Sequence, residues 1–232
     1  MANSHPRNES TNRSQFIKKY FGNVLHKSFL DFGGNRGDIL HFHPDIDKSK
    51  YTCVDVCQRS LELGKKEFKL GNWIHYDRYN YAYNIKGKHD ESLPIVSKHD
   101  LTFAYSVISH TTIEEMIDIL KWMKDATKEK IVVSYLDIDL LPLREYFYNQ
   151  RMKKYGWCTN FIDINTENIN YAYLLDEDEF IVNGTDLKFP EGEGLFVTFY
   201  KREYLLKKLE ENGIKARIDI SPTHVPFIIV DV

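Results

Sequence analysis

A buried-strand pattern that runs straight into a cluster of glycines constrains this chain more than any other feature. Ser28-Phe29-Leu30-Asp31-Phe32 is a short apolar run broken by one acid, and Gly33-Gly34-Asn35-Arg36-Gly37 follows at once. A short apolar run stopped by a turn signal reads as a strand buried on both faces, as in a parallel sheet. A second run, Tyr51-Thr52-Cys53-Val54-Asp55-Val56, also closes on an acid. Asp55 stands about 24 positions after Asp31, a separation at which open α/β sheets place an acid beside the hydroxyls of a ribose. Glycines at the first strand's end permit positive φ and close approach of backbone to ligand. Taken alone, they are equally compatible with a phosphate turn or a plain tight connection.

The remaining chain extends the same rhythm. Gln15 to Leu25 carries Phe16, Ile17, Tyr20, Phe21 and Val24 at near-helical spacing. Asp38 to His43 begins a helix that Pro44-Asp45 stops, and Ser60 to Leu70 predicts another. Asn72 to Tyr76 reads as a third strand closing on Asp77, followed by the tyrosine-rich Tyr79 to Asn84 and a polar loop through Pro94. Leu101 to Val107 predicts a fourth strand, Thr112 to Lys124 a helix, and Ile131 to Leu136 a fifth strand. Such alternation implies a parallel sheet with helices on both faces. Asp137 to Thr198, rich in aromatic and acidic residues, breaks the rhythm. A helix over Arg202 to Glu211, stopped by Asn212-Gly213, and strands over Lys215 to Ile220 and Pro226 to Val232 then close the chain. The expectation is one domain over 1–232, with 1–14 a flexible tail and 138–198 a cap inserted between the fifth strand and the last helix.

Charge narrows the partners. The net charge is −3 and no long basic run occurs, only short clusters such as Arg151 with Lys153-Lys154 and Lys201-Arg202, so no nucleic-acid partner is expected. Cys53, Cys57 and Cys158 form an odd set without a secretory leader, which argues for reduced thiols and a cytoplasmic location. Nothing near the N-terminus suits export or a membrane span. A nicotinamide-type Gly-x-Gly-x-x-Gly fails because Asn35 and Asp38 stand at its second and third glycines. A P-loop fails because Gly37-Asp38-Ile39 lacks the lysine.

As a set, these motifs resemble those of class I S-adenosylmethionine-dependent methyltransferases. Phe29-Leu-Asp-Phe-Gly-Gly-Asn-Arg-Gly-Asp38 is similar to the family's first motif, with Asn35 where the middle glycine is common, and Cys53-Val-Asp-Val-Cys-Gln-Arg-Ser-Leu-Glu-Leu63 to its second. Asn is the next-best residue for a left-handed turn. Asp77 matches the acid that often meets the adenine amino group, and Asp100 to His110 looks like the fourth strand and the loop beneath the methionine part. The likeness covers about 15–136 and 200–232. It implies a Rossmann-like fold with a seven-stranded, mostly parallel sheet whose last strand is antiparallel. It also implies S-adenosyl-L-methionine as cofactor, with S-adenosyl-L-homocysteine as product. By the same resemblance Asp31, Gly33, Gly34, Asn35 and Gly37 would hold the amino-acid part, Asp55 the ribose and Asp77 the adenine. Val56, Tyr76, Tyr105 and Ser106 would complete the cofactor site.

The acceptor is open. His110, just after the fourth strand, is a candidate base for an acceptor hydroxyl or amine, or else a helix-start histidine that orients Thr111 or packs on the cofactor. No metal is expected: Ser106 to Ser109 carry no acid, Asp137 and Asp139 read as loop acids, and Cys53-x-x-x-Cys57 has no zinc partners. Asp176 to Glu179 reads as a solvated acidic turn. Tyr79, Tyr81, Tyr83, Tyr146, Phe147, Tyr148, Tyr155, Trp157, Tyr171 and Tyr173 divide between the core of the cap and the walls of an acceptor pocket. The expected reaction is methyl transfer to an oxygen or nitrogen of a small polar molecule, sugar-like or a natural-product intermediate. The alternatives are a non-catalytic cofactor-binding module and a methyltransferase acting on a macromolecule. Oligomeric state is not legible.

Overall fold

The computed structural model describes residues 18–80, 83–140, 171–174, 180–182, 197–220 and 226–232. The tail at 1–14, most of 138–198, Tyr81, the aromatic residues from Tyr146 to Trp157, Cys158 and the acidic turn at 176–179 lie outside them. The described strands are β1 (Phe29–Phe32), β2 (Tyr51–Asp55), β3 (Asn72–His75), β4 (His99–Ala104), β5 (Thr127–Ser134), β6 (Leu136–Asp137), β7 (Tyr171–Leu174), β8 (Phe180–Val182), β9 (Val197–Tyr200), β10 (Arg217–Ile220) and β11 (Pro226–Asp231). Helices α1 (Asp38–Phe42), α2 (Gln58–Glu67), α3 (Ile113–Ala126) and α4 (Arg202–Glu211) connect them. A seven-stranded sheet runs β10-β11-β5-β4-β1-β2-β3. β1 pairs in parallel with β2 and β4, β2 with β3, and β4 with β5, whereas β11 runs antiparallel to both β5 and β10. The last strand is the antiparallel one, as expected.

Alternation along the strands builds two cores. Leu30, Phe32, Val54, Ala104, Ile131, Val133, Ile228 and Val230 point to one face and pack with Met116, Leu120 and Met123 of α3 and Leu205 and Leu209 of α4. Phe29, Tyr51, Cys53, Leu101, Phe103, Val132, Phe227 and Ile229 point to the other face and meet Tyr20, Val24, Ile39, Leu40 and Leu61. Period-two alternation between two apolar faces produces the unbroken apolar runs of the sequence. Helix α3 begins at a capping box: Thr112 Oγ1 accepts the Glu115 amide at 3.2 Å, and Glu115 Oε2 accepts the Thr112 amide at 3.1 Å. Full burial of a side chain such as Met116 or Leu120 contributes about 1.5–3 kcal/mol.

One expectation needs correction. The fourth strand ends at Ala104, not Val107, because Ser106 takes φ 57° and a 3-10 turn follows over Ile108–His110. After β5, where the strand–helix rhythm breaks, β6, β9, β7 and β8 form a second, four-stranded sheet in that order. β9 pairs in parallel with β6 and antiparallel with β7, and all four of its residues are buried. Its aromatic and β-branched run, Val197-Thr-Phe-Tyr200, was the signal available in the sequence. Asp137 leads into this region with its carboxylate bonded to Arg202 Nη2 at 2.9 Å and to the Tyr135 hydroxyl at 2.9 Å.

Asp100 ties the amino ends of β1 and β4 together. Its Oδ2 accepts the Ser28 amide at 2.7 Å and the Ser28 hydroxyl at 2.8 Å, while Lys128 Nζ lies 3.0 Å from Oδ1. The Ser28 amide, then its hydroxyl and Lys128, hold this carboxyl well below the usual carboxylate range. A depressed folded-state pKa gives stability that is fully present above the unfolded value of about 4 and is lost as pH falls through the folded one. Asp100→Asn is therefore expected to cost about 1 kcal/mol at pH 7, after allowance for solvent screening. Urea unfolding at pH 7 and pH 3 checks it: the gap between wild type and variant should narrow at the lower pH.

Candidate functional site

The glycine turn is shaped by what lies beneath it. The Gly33 amide donates to the Val54 carbonyl at 2.7 Å, so the chain leaves β1 while still bonded to β2. Gly33 has φ 72°, and a Cβ there would lie 2.2 Å from Val107 Cγ2. Asn35 takes φ 55°, the left-handed conformation expected of the residue in that place, and its side chain reaches Asp38 Oδ2 at 3.1 Å. Asp31, next to last in β1, is buried and accepts the Tyr51 hydroxyl at 2.6 Å. Burial and the Asp31 charge push the Tyr51 phenol and the Cys53 thiol well up, so both stay protonated.

Asp55 closes the turn from the neighbouring strand. Its Oδ2 accepts the Asn35 amide and its Oδ1 the Cys57 amide, each at 2.7 Å. Burial pushes its carboxyl up, opposed by those two amides and by nearby His75. One carboxylate therefore fixes both the glycine turn and the head of α2, and each oxygen keeps a further lone pair for a ligand hydroxyl.

A cavity of about 770 Å³ opens here, along the carboxyl ends of β1, β2 and β4. Chain order reverses between β1 and β4, the place where open α/β sheets bind ligands. One wall is the turn with Asp31 and Asp55; another is Tyr105, Ser106, Val107 and His110 after β4. The strained Ser106 is held by its amide donating to Ser134 Oγ at 2.7 Å. The remaining wall comes from the crossover between β3 and β4, through Tyr76, Arg78, Tyr79, Asn80, Tyr83, His89 and Glu91, with Glu115 of α3.

No protein-family model and no curated protein matches the sequence. Solved structures do match the fold. A Pyrococcus horikoshii protein superposes with a TM-score of 0.59 at 11% identity, over 99% of this chain and 92% of that one. An S-adenosylmethionine-dependent methyltransferase from Clostridium acetobutylicum gives 0.56 at 13% identity, over 97% and 91%. Magnesium protoporphyrin IX methyltransferase from Synechocystis, with bound SAH, gives 0.54 at 11% identity, over 97% and 82%. The chain has the class I methyltransferase fold.

Within this methyltransferase fold, most residues singled out from the sequence line this cavity: Asp31, Gly33, Gly34, Asn35, Asp55, Val56, Tyr76, Tyr105, Ser106 and His110. Two do not. Gly37 caps α1 at φ 79° and packs under Trp73. Asp77 is drawn into the crossover, where its Oδ1 accepts Asn84 Nδ2 at 3.1 Å and its carbonyl accepts the Lys88 amide at 2.8 Å. The sequence reading missed Arg78, His89, Glu91 and Glu115. Tyr79 and Tyr83 fall on the cavity side of the alternatives open for the aromatic residues. Cys53 is buried under the turn and Cys57 heads α2, both as free thiols. Among the described residues no group of three or more His, Cys, Asp or Glu is placed to hold a metal ion, and no helix is long and apolar enough to cross a membrane.

Proposed function

We propose that the protein is a cytoplasmic S-adenosylmethionine-dependent methyltransferase acting on an oxygen or nitrogen of a small polar acceptor. The observation that carries this reading is the meeting of Asp55 and the 33–37 turn at one rim of a cavity that also holds His110. The residues present fit the cofactor. A Cβ at Gly33 would strike Val107 and one at Gly34 would strike Asp31, so a turn this close to the cavity wall is left to glycine, and Asp31 and Asp55 supply acceptors for an ammonium and a ribose. S-adenosylmethionine, when bound, supplies an electrophilic methyl group on a sulfonium.

The chain's own residues do the rest. Asp31, Gly33, Gly34 and Asn35 bind the amino-acid part, Asp55 with Val56 the ribose, and Tyr76, Tyr105 and Ser106 line the remainder. His110 takes the proton from an acceptor that arrives protonated. An acceptor that is already a free nucleophile needs alignment alone, the larger source of rate in a displacement. The described lining sets Asp31, Asp38, Asp55, Asp90, Glu91, Glu115 and Asp118 against the guanidinium of Arg78, a field that suits a sulfonium and repels a polyanion such as nucleic acid. The Synechocystis neighbour, which holds SAH and is named for a porphyrin substrate, supports the same cofactor and a small acceptor.

Calorimetric titration with S-adenosylhomocysteine tests the reading. One saturable site per chain is the expected outcome; folded protein that takes up none would end it.

A further inference from the structure

Arg78 leaves the β3–β4 crossover and meets α3. Its Nη2 stands 2.7 Å from Glu115 Oε1, and its Nη1 donates to the His89 carbonyl. Glu115 is committed on its other side, through the capping box with Thr112. Thr112 follows His110 and Thr111, and the Thr111 carbonyl accepts the Thr198 hydroxyl of β9 at 2.6 Å. One carboxylate thus joins the crossover, the head of α3 and the turn that carries His110. Arg78, Tyr79, His89, His110 and Glu115 all line the same cavity.

The crossover is otherwise bonded largely within itself. The Tyr79 amide donates to the Lys88 carbonyl at 2.9 Å, Asn80 and Asn84 exchange amide bonds, and the Tyr79 ring stacks on His89 at 4.1 Å. These contacts make it stiff, but residues 83–92 are mostly exposed, so apolar burial does little to fix it against the body. The Arg78 and Glu115 side chains are 30% and 32% exposed. A pair so exposed adds little to global stability. What it contributes is placement.

We infer that Arg78 and Glu115 are positioning residues: their ion pair clamps the crossover along the cavity and sets how long a nucleoside ligand stays bound. The ligand part rests on the S-adenosylmethionine reading above. Glu115→Gln removes the charge and keeps a side chain able to cap the helix. Arg78→Met removes the cation, and Arg78→Lys keeps it. Amide hydrogen exchange over residues 83–89 without ligand reads the clamp itself, and should quicken about tenfold in Glu115→Gln and Arg78→Met. Stopped-flow tryptophan fluorescence should show S-adenosylhomocysteine leaving about fivefold faster, with association within roughly twofold of wild type. The thermal midpoint should stay nearly unchanged, Arg78→Lys should recover most of the loss, and the double variant should be no worse than either single one. Unaltered exchange at 83–89 overturns the clamp, and unaltered release alongside faster exchange overturns its role in retention. If the wild-type protein itself fails to bind S-adenosylhomocysteine, the cofactor reading falls, while the exchange measurement still decides the clamp.

Discussion

Asp55→Ala should raise the dissociation constant for S-adenosylhomocysteine by at least tenfold, about 1.4 kcal/mol, in a protein that remains folded. The size follows from the number of groups that one carboxylate serves. Its two oxygens hold the Asn35 and Cys57 amides at 2.7 Å, and those amides belong to the two segments that flank the cavity rim. Truncation removes the acceptor proposed for the ribose hydroxyls and frees the turn proposed to present Gly33 to Asn35 to the ligand. Hydrogen bonds to a charged group each contribute roughly 1.5–3 kcal/mol. The amides released lie near the surface and recover water, which keeps the stability cost below the binding cost. Asp77→Ala is the contrast in the same titration. Its carboxylate bonds Asn84 rather than facing the cavity, so affinity should stay within about twofold of wild type, less than 0.5 kcal/mol. Equal losses in the two variants would return Asp77 to the ligand and sink the assignment of the rim to Asp55.

That contrast shows where the sequence was readable. Asp31, Asp55 and the glycines stand at strand ends, and strand ends are marked by apolar runs that two buried faces impose on β1, β2 and β4. Side chains fixed by regular elements inherit that legibility. Asp77 also follows a strand, yet Asn84 captures it, and a contact between two loop residues leaves no periodic trace. Arg78, His89 and Glu91 were missed for the same reason: their crossover is held by backbone bonds, a ring stack and the Arg78–Glu115 and Lys88–Glu91 ion pairs, which leave no apolar period in the sequence. Glu115 was hidden behind a simpler role, since a Glu three places after Thr112 reads fully as a helix cap. The early end of β4 depended on Ser134, from the adjacent strand, holding the Ser106 amide. In each case the missing information was a contact that no strand or helix periodicity marks in the sequence.

The second large effect concerns Gly34, where close approach can be separated from backbone conformation. Gly34→Ala is expected to destabilise the fold by about 3 kcal/mol, a fall in thermal midpoint of roughly 6–12 °C for a chain of this size. Gly34 does not have a left-handed φ, so the loss is one of space. A Cβ would stand 2.5 Å from Asp31 Cγ and Oδ2 and 2.8 Å from Cys53 Sγ. Neither neighbour can yield cheaply: Asp31 is 4% exposed and bonded to the Tyr51 hydroxyl, and Cys53 is fully buried in β2. Moving Asp31 would leave the buried Tyr51 hydroxyl without its acceptor, adding a desolvation cost to the steric one. Gly213, after α4, is the opposite case, with φ 74° and nothing within 4 Å of an added Cβ. Gly213→Ala should therefore cost about 1 kcal/mol, the penalty of a left-handed alanine alone. Differential scanning calorimetry of both variants decides the matter. Gly34→Ala melting no lower than Gly213→Ala would mean that the turn can lift away from Asp31, and the cradle assigned to the cofactor's amino-acid part would then lack its rigid floor.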